Sequence, residues 1–273
     1  MTSQSSLHAS HVSPSKALGQ HFLVDQGALR RVLAAADVTA GDVAVEVGPG
    51  TGLLTRLLAQ TGARVLAVEL DGNLVARLNE ELGSFPNLTV VHADAREWDP
   101  TEVGVPYKVV ANLPYYAATP IVRRFLECSA PPSLMVVTVQ REVAQGMAAP
   151  PGRMRLISVA VQLYGRPRIV GYIRPGSFRP SPKVTSAIVR IEVYPRPALP
   201  LDDTEAFFQV VRGGFSSPRK QLRNSLGHSF SLTGTRAEDL LRQAGIDPRL
   251  RAEALSLEDW GRLYDVCRSQ GLC

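Results

Sequence analysis

The stretch Val43-Ala-Val-Glu-Val-Gly-Pro-Gly-Thr-Gly52 decides how this chain folds. Three valines in five residues favour extended backbone, and a run with so little polar interruption implies a strand covered on both faces. Glycines at alternate positions then make a turn ahead of a helix that begins near Leu53.

Outward from there, residues 64–70, 88–93, 107–111 and 134–139 read as strands, and residues 53–60, 72–82 and 119–128 as helices. Strands alternating with helices indicate a doubly wound, mostly parallel α/β sheet. Two more β-type runs between Arg168 and Val193 have no helix between them, which reads as an antiparallel hairpin closing the edge of a seven-stranded sheet. The proline-rich Tyr194-Pro-Arg-Pro-Ala-Leu-Pro200 is a linker. Beyond it the pattern is helical only, over residues 203–212, 218–226, 236–244 and 256–268. Ser256-Leu-Glu-Asp259 has the form of a capping box, and Gly245 stands where a helix would stop. The organisation expected is a disordered tail over residues 1–13, a sheet domain over 14–195 and a small all-helical domain over 201–273.

The chain has 273 residues, 45% hydrophobic and 20% charged, enough for a buried core without disulfides. Its cysteines, Cys128, Cys267 and Cys273, are far apart and lack any Cys-x-x-Cys spacing, which argues against a disulfide framework and a zinc site. His8, His11, His92 and His228 show no ligand spacing either, so no metal is expected. No apolar run approaches the ~20 residues of a membrane span. The first twenty residues carry neither a signal peptide nor an anchor, and a soluble, cytoplasmic protein with no membrane partner is expected.

The net charge of +5 hides an asymmetry: residues 1–105 carry 7 Lys and Arg against 12 Asp and Glu, whereas residues 151–200 carry 9 against 1. Between Ala206 and Phe230 stand Arg212, Arg219, Lys220 and Arg223 with no acid. Such a face attracts polyanions, nucleic acid first among them; the plainer reading is a solvated surface. Arg219, Lys220 and Arg223 are the expected RNA-phosphate contacts.

At the ligand end of the sheet, Gly48-Pro-Gly-Thr-Gly52 departs from the Gly-x-Gly-x-x-Gly of dinucleotide sites, which disfavours a pyrophosphate. Gly48 and Gly50 let the backbone approach a ligand. Glu69 ends the next strand, where an acid can accept from both hydroxyls of a ribose, and Asp94 ends the third, suited to the amino group of an adenine. Adenosine without pyrophosphate suggests S-adenosylmethionine, leaving as S-adenosylhomocysteine. At the end of the fourth strand stands Asn112-Leu-Pro-Tyr115, followed by Tyr116. An exocyclic adenine amine is a poor nucleophile because its lone pair is delocalised. The Asn112 side-chain oxygen and the Leu113 carbonyl can hold the two amino hydrogens and aim the nitrogen at the sulfonium methyl. Pro114 fixes the local φ, and Tyr115 offers a face to an extruded base.

With these residues the sequence resembles the ribosomal RNA adenine dimethyltransferases, in particular the small-subunit (KsgA-type) branch. The pieces are Gly19-Gln-His-Phe-Leu23, Glu46 to Gly52, Glu69-Leu-Asp71, Asp94-Ala95, Asn112 to Tyr115, Phe178-Arg-Pro-Ser-Pro-Lys-Val184, Arg219 to Leu226 and Gly245 to Glu253. The resemblance implies a class I, Rossmann-like methyltransferase. It implies cofactor contacts from His21, Leu23, Gly48, Glu69, Asp94 and Asn112, and a target base held between Tyr115 and Phe178. It also implies action on two adjacent adenines near the 3′ end of 16S RNA, with the small ribosomal subunit or its precursor as partner and the chain acting as a monomer. Two stretches depart from the family's pattern: Ala117-Ala118 after the tetrapeptide, and residues 152–158, where Tyr-Gly usually precedes Leu-Ser-Val. The alternatives are a large-subunit methyltransferase conferring antibiotic resistance and a non-catalytic assembly factor. A DNA adenine methyltransferase would show Asp-Pro-Pro-Tyr, and a dehydrogenase a different glycine spacing.

Overall fold

Residues 20–104 and 106–273 are described by the structure, a computed structural model; the tail expected over residues 1–13 lies outside them. In chain order the elements are β1 (Phe22–Leu23), α1 (Gln26–Ala36), β2 (Val43–Val47), α2 (Leu53–Gln60), β3 (Arg64–Glu69), α3 (Gly72–Leu82), β4 (Leu88–His92), β5 (Lys108–Asn112) and α4 (Ala118–Glu127). Then follow β6 (Leu134–Gln140), α5 (Arg141–Met147), α6 (Leu156–Gln162), β7 (Gly165–Ile173), β8 (Phe178–Arg179) and β9 (Ser186–Val193). The C-terminal helices are α7 (Thr204–Phe215), α8 (Leu222–Ser229), α9 (Gly234–Gln243) and α10 (Leu257–Ser269).

Seven strands form one sheet in the order β4-β3-β2-β5-β6-β9-β7, parallel except for β9. The expected edge hairpin is therefore present, and β9 is its antiparallel member, lying between β6 and β7. Alternate residues of the strands supply two cores. Val45, Val47, Val109 and Val137 face the α4 side, while Ala44, Val110, Val136 and Ile188 face α1 and α2. The capping box of α10 is formed, with Ser256 and Asp259 exchanging side-chain-to-backbone bonds of 3.1 and 2.8 Å. Gly245 ends α9 at φ 72°.

The linker does not separate the two cores cleanly. Helix α6 gives Val161 to the sheet core but Val159, Ala160 and Leu163 to the core of the C-terminal helices, alongside Phe207, Trp260 and Tyr264. The segment before α6, which departs from the family's pattern, is tied to the helical part: Gly152 and Met154 N–H both donate to the Glu253 carbonyl, at 2.8 and 3.1 Å.

Candidate active site

The parallel strands β2, β3, β4 and β5 all end at one edge of the sheet, and a cavity opens there. Its wall includes His21, Phe22, Gly48, Gly50, Glu69, Asp94, Arg96, Asn112, Leu113, Pro114, Tyr115 and Tyr116. A doubly wound sheet presents this edge to ligands because its loops splay apart where the strand order reverses; the reversal here is between β2 and β5.

The glycine turn is needed for its backbone. Gly48, Gly50 and Gly52 have φ of 68°, 56° and 76°, the left-handed region that L side chains avoid. At Gly50 a Cβ would also come within 2.7 Å of the Phe22 ring, so a methyl group has no room in this cradle.

Glu69 fixes the turn from behind. Its Oε2 accepts from Gly50 N–H at 3.1 Å, and Oε1 accepts from Leu70 and Asp71 N–H at 2.9 and 3.0 Å. Burial raises the carboxyl's pKa, and the three N–H groups oppose that rise by favouring the anion. Of about four acceptor directions on a carboxylate, three are taken. One remains, on Oε2, so a ribose finds a single ready acceptor here, and a second hydroxyl must displace a backbone donor.

Asp94 is held differently. The Arg96 N–H and guanidinium bond both its oxygens, at 2.5 to 3.0 Å, and keep its pKa below the usual carboxylate range. Among the described residues Arg96 is the only Lys or Arg on the wall, and it is already committed to Asp94. With Glu69 and Asp94 facing this space, the cavity suits a cationic adenosine derivative, and among the described residues it offers no free basic side chain to a pyrophosphate.

Asn112 ends β5, and its Nδ2 donates to the His21 carbonyl at 3.0 Å. One of the two amide N–H groups is thereby used, which sets the amide's orientation and leaves Oδ1 as its acceptor. Leu113 N–H donates to the Thr138 carbonyl on β6 at 3.2 Å, and Ala117 N–H to the Pro114 carbonyl at 3.0 Å, so the tetrapeptide is a bonded turn. Tyr115 is fixed at both ends: its hydroxyl shares a 2.6 Å hydrogen bond with Ser186 Oγ, and His21 stacks on its ring with centroids 5.4 Å apart and planes at 29°. His21 Nδ1 in turn lies 2.8 Å from the Pro180 carbonyl.

The structure does not bring two of the expected residues to this cavity. Leu23 and Phe178 pair across β1 and β8 and are buried in the core with Leu29, Ile173 and Ile188. Phe178 is fully covered and presents no face to a base. Phe22, beside Leu23, lines the cavity instead, because neighbouring residues of a strand point to opposite sides. Arg96 and Tyr116 were also not expected; their only signal is position, next to Asp94 and Tyr115. Off the cavity wall, Arg219 and Lys220 are exposed, whereas Arg223 is paired with Glu238.

The profile of the ribosomal RNA adenine dimethylase family matches residues 13–268. The chain belongs to this family. Among curated relatives, the ribosomal RNA small subunit methyltransferase A of Dehalococcoides mccartyi is 44% identical over 252 residues, covering 91% of this chain and 86% of its own. That of Alkaliphilus metalliredigens is 38% identical over 258 residues, covering 91% and 90%. Among solved structures, the 23S rRNA methyltransferase ErmE superposes with a TM-score of 0.70 at 28% identity, over 90% of this chain and 98% of its own. A dimethyladenosine transferase from Plasmodium falciparum shares the fold, with a TM-score of 0.76 at 22% identity over 92% and 98%. Membership makes the chain an rRNA adenine methyltransferase of the class I α/β fold.

Proposed function

We propose that this chain transfers methyl groups from S-adenosylmethionine to the N6 amino groups of two adjacent adenines near the 3′ end of 16S RNA. It does so as a cytoplasmic monomer, acting on the small ribosomal subunit or its precursor during ribosome biogenesis. The relatives at 44% and 38% identity, both named for the small subunit, support this target over the large-subunit alternative, whose structural relative is 28% identical.

The observation that carries the chemistry is the bond from Asn112 Nδ2 to the His21 carbonyl. It orients the amide so that Oδ1 is available to accept from the target amine and, with the Leu113 carbonyl, to keep that nitrogen aimed. The bound cofactor supplies an activated methyl group on a sulfonium. Gly48 and Gly50 admit it to the backbone, Glu69 accepts from its ribose, and Asp94 from its adenine amine. Tyr115, braced by Ser186 and His21, stacks the target base on its remaining face. No titrating base is required, because the amine's proton leaves to solvent after transfer, and orientation supplies most of the rate.

The test is Asn112→Ala in single-turnover transfer, with saturating cofactor and undermethylated small subunits. The expected result is retained subunit binding and a rate lower by on the order of 10²–10³, the loss typical when one preorganised polar contact is removed. Transfer at the wild-type rate would overturn the assignment.

A further inference from the structure

Strand β7 is the outermost of the sheet, and it carries its cations on one side. In the β7–β9 ladder Arg166 stands opposite Glu192 and Arg168 opposite Arg190, so the four side chains share a face. Glu192 is the only acid between residues 151 and 200. Three guanidiniums share it, Arg166 at 3.1 Å, Arg190 at 3.6 Å and Arg168 at 3.7 Å, and only the first distance is a hydrogen bond. The Arg168 side chain is 65% exposed, and its guanidinium has no hydrogen bond among the described residues. Further along the strand, Arg31 of α1 donates to the Tyr172 carbonyl at 3.2 Å and adds a fourth cation. The strand ends at Ile173, opposite the Ser186 whose hydroxyl bonds Tyr115. From Arg166 to Ile173 is about 23 Å at ~3.3 Å per residue, so the row of cations runs along the sheet edge toward the active site.

We propose that this edge is a phosphate-binding ledge on which the RNA backbone flanking the target lies, with Arg168 as its principal contact. The proposal rests on the reading of the small subunit as substrate. A row of four cations around one carboxylate fits an extended polyanion better than a single small anion, and this chain acts on RNA. Arg166 is partly held back by its bond to Glu192, whereas Arg168 has its fork of donors open to a phosphate. Charge on an edge strand also keeps other strands from pairing there, a role that leaves the salt dependence of RNA binding untouched.

The experiment is filter binding of undermethylated small subunits across a salt series, with wild type, Arg168→Ala, Arg166→Ala/Arg168→Ala and Glu192→Gln. Arg64→Ala, an exposed cation on β3 toward the opposite edge, controls for charge alone. Arg168→Ala should lower the slope of log affinity against log salt by roughly 0.7–0.9. It should leave S-adenosylhomocysteine affinity and single-turnover transfer at saturating subunits at wild-type values. The double variant should lower the slope further, Glu192→Gln, which releases all three guanidiniums, should steepen it, and Arg64→Ala should leave it at wild type. An unchanged slope in Arg168→Ala, or an equal fall in Arg64→Ala, would overturn the proposal. A loss seen on whole subunits but not on naked 16S RNA would also overturn it, in favour of an acidic protein partner. If wild type methylates large-subunit RNA instead, the target reading fails by itself, and the same variants titrated on that RNA decide the ledge separately.

Discussion

Glu46 on β2 and Glu69 on the neighbouring β3 are both buried acids beside the glycine turn, yet their surroundings differ. Glu69 has three backbone donors and faces the cavity, whereas Glu46 is 1% exposed and its Oε2 has no hydrogen-bond partner among the described residues. Burial pushes the Glu46 carboxyl up to about 8, with the nearby Glu69 charge adding to the rise. A folded pKa above the unfolded one means that the native state binds the extra proton. The resulting stability is complete below about pH 4.5 and is lost as pH rises through about 8. Glu46→Gln keeps the shape and removes the titration. Its urea midpoint should exceed that of wild type at pH 9, and the advantage should shrink steadily toward pH 5; parallel pH profiles would show that Glu46 is not protonated in the fold. Glu69→Ala has a different signature. Each lost charge-assisted contact is worth about 1.5–3 kcal/mol, so S-adenosylhomocysteine affinity should fall by at least about tenfold in calorimetry with the secondary structure intact, and unchanged affinity would remove Glu69 from the pocket.

Among the elements, α7 shows which of two opposed effects wins. Gly214 lies in its last turn, where alanine gains up to about 1 kcal/mol of helix propensity. A Cβ there would sit 2.3 Å from Trp260 Cη2, and Trp260 is fully buried in α10 and has no room to retreat. Overpacking costs about 1–3 kcal/mol, so Gly214→Ala is expected to lower the melting temperature; a rise would mean that the α7–α10 contact is softer than its geometry. The same packing explains what was legible in the sequence. The glycine turn, β2 to β6 and the helices between them were readable because a doubly covered strand and a one-sided helix have different periods. Helix α6 was not, because it is covered by the sheet core on one side and by the C-terminal core on the other, which turns Leu-Ile-Ser-Val-Ala-Val into an apolar run with no polar face. Helix α1 was readable but passed over: Asp25 caps it through Ala28 N–H at 2.9 Å, the usual sign of a helix start. For β1 and β8, two residues each, no period exists. The choice of Phe22 over Leu23 for the cavity, and the burial of Phe178, follow from a long-range pairing that local sequence does not encode.

On the scale of the whole molecule, the acidic first part and the basic later part divide the work between a cationic cofactor and a polyanionic substrate. The cofactor cavity carries Glu69 and Asp94, while Arg219 and Lys220 stand exposed between α7 and α8, outside any ion pair among the described residues. Arg223 was expected to act with them, but its guanidinium is bonded to Glu238 and to Gln221 Oε1. A cation that already has an intramolecular partner gains little from a phosphate and releases few counterions. The three residues should therefore separate in a salt titration of small-subunit binding. Each phosphate contact contributes roughly 0.7–0.9 to the slope of log affinity against log salt. Arg219→Ala and Lys220→Ala should each lower the slope by about that amount, and the double variant by about twice as much. Arg223→Ala should change it by clearly less, while Glu238→Gln, which frees both Arg223 and Arg242, should make it steeper, and adding Arg223→Ala to it should remove the share due to Arg223. Equal slopes for all three single variants would mean that the Arg223–Glu238 pair opens on the ribosomal surface, and slopes equal to wild type would return Arg219 and Lys220 to the solvated surface.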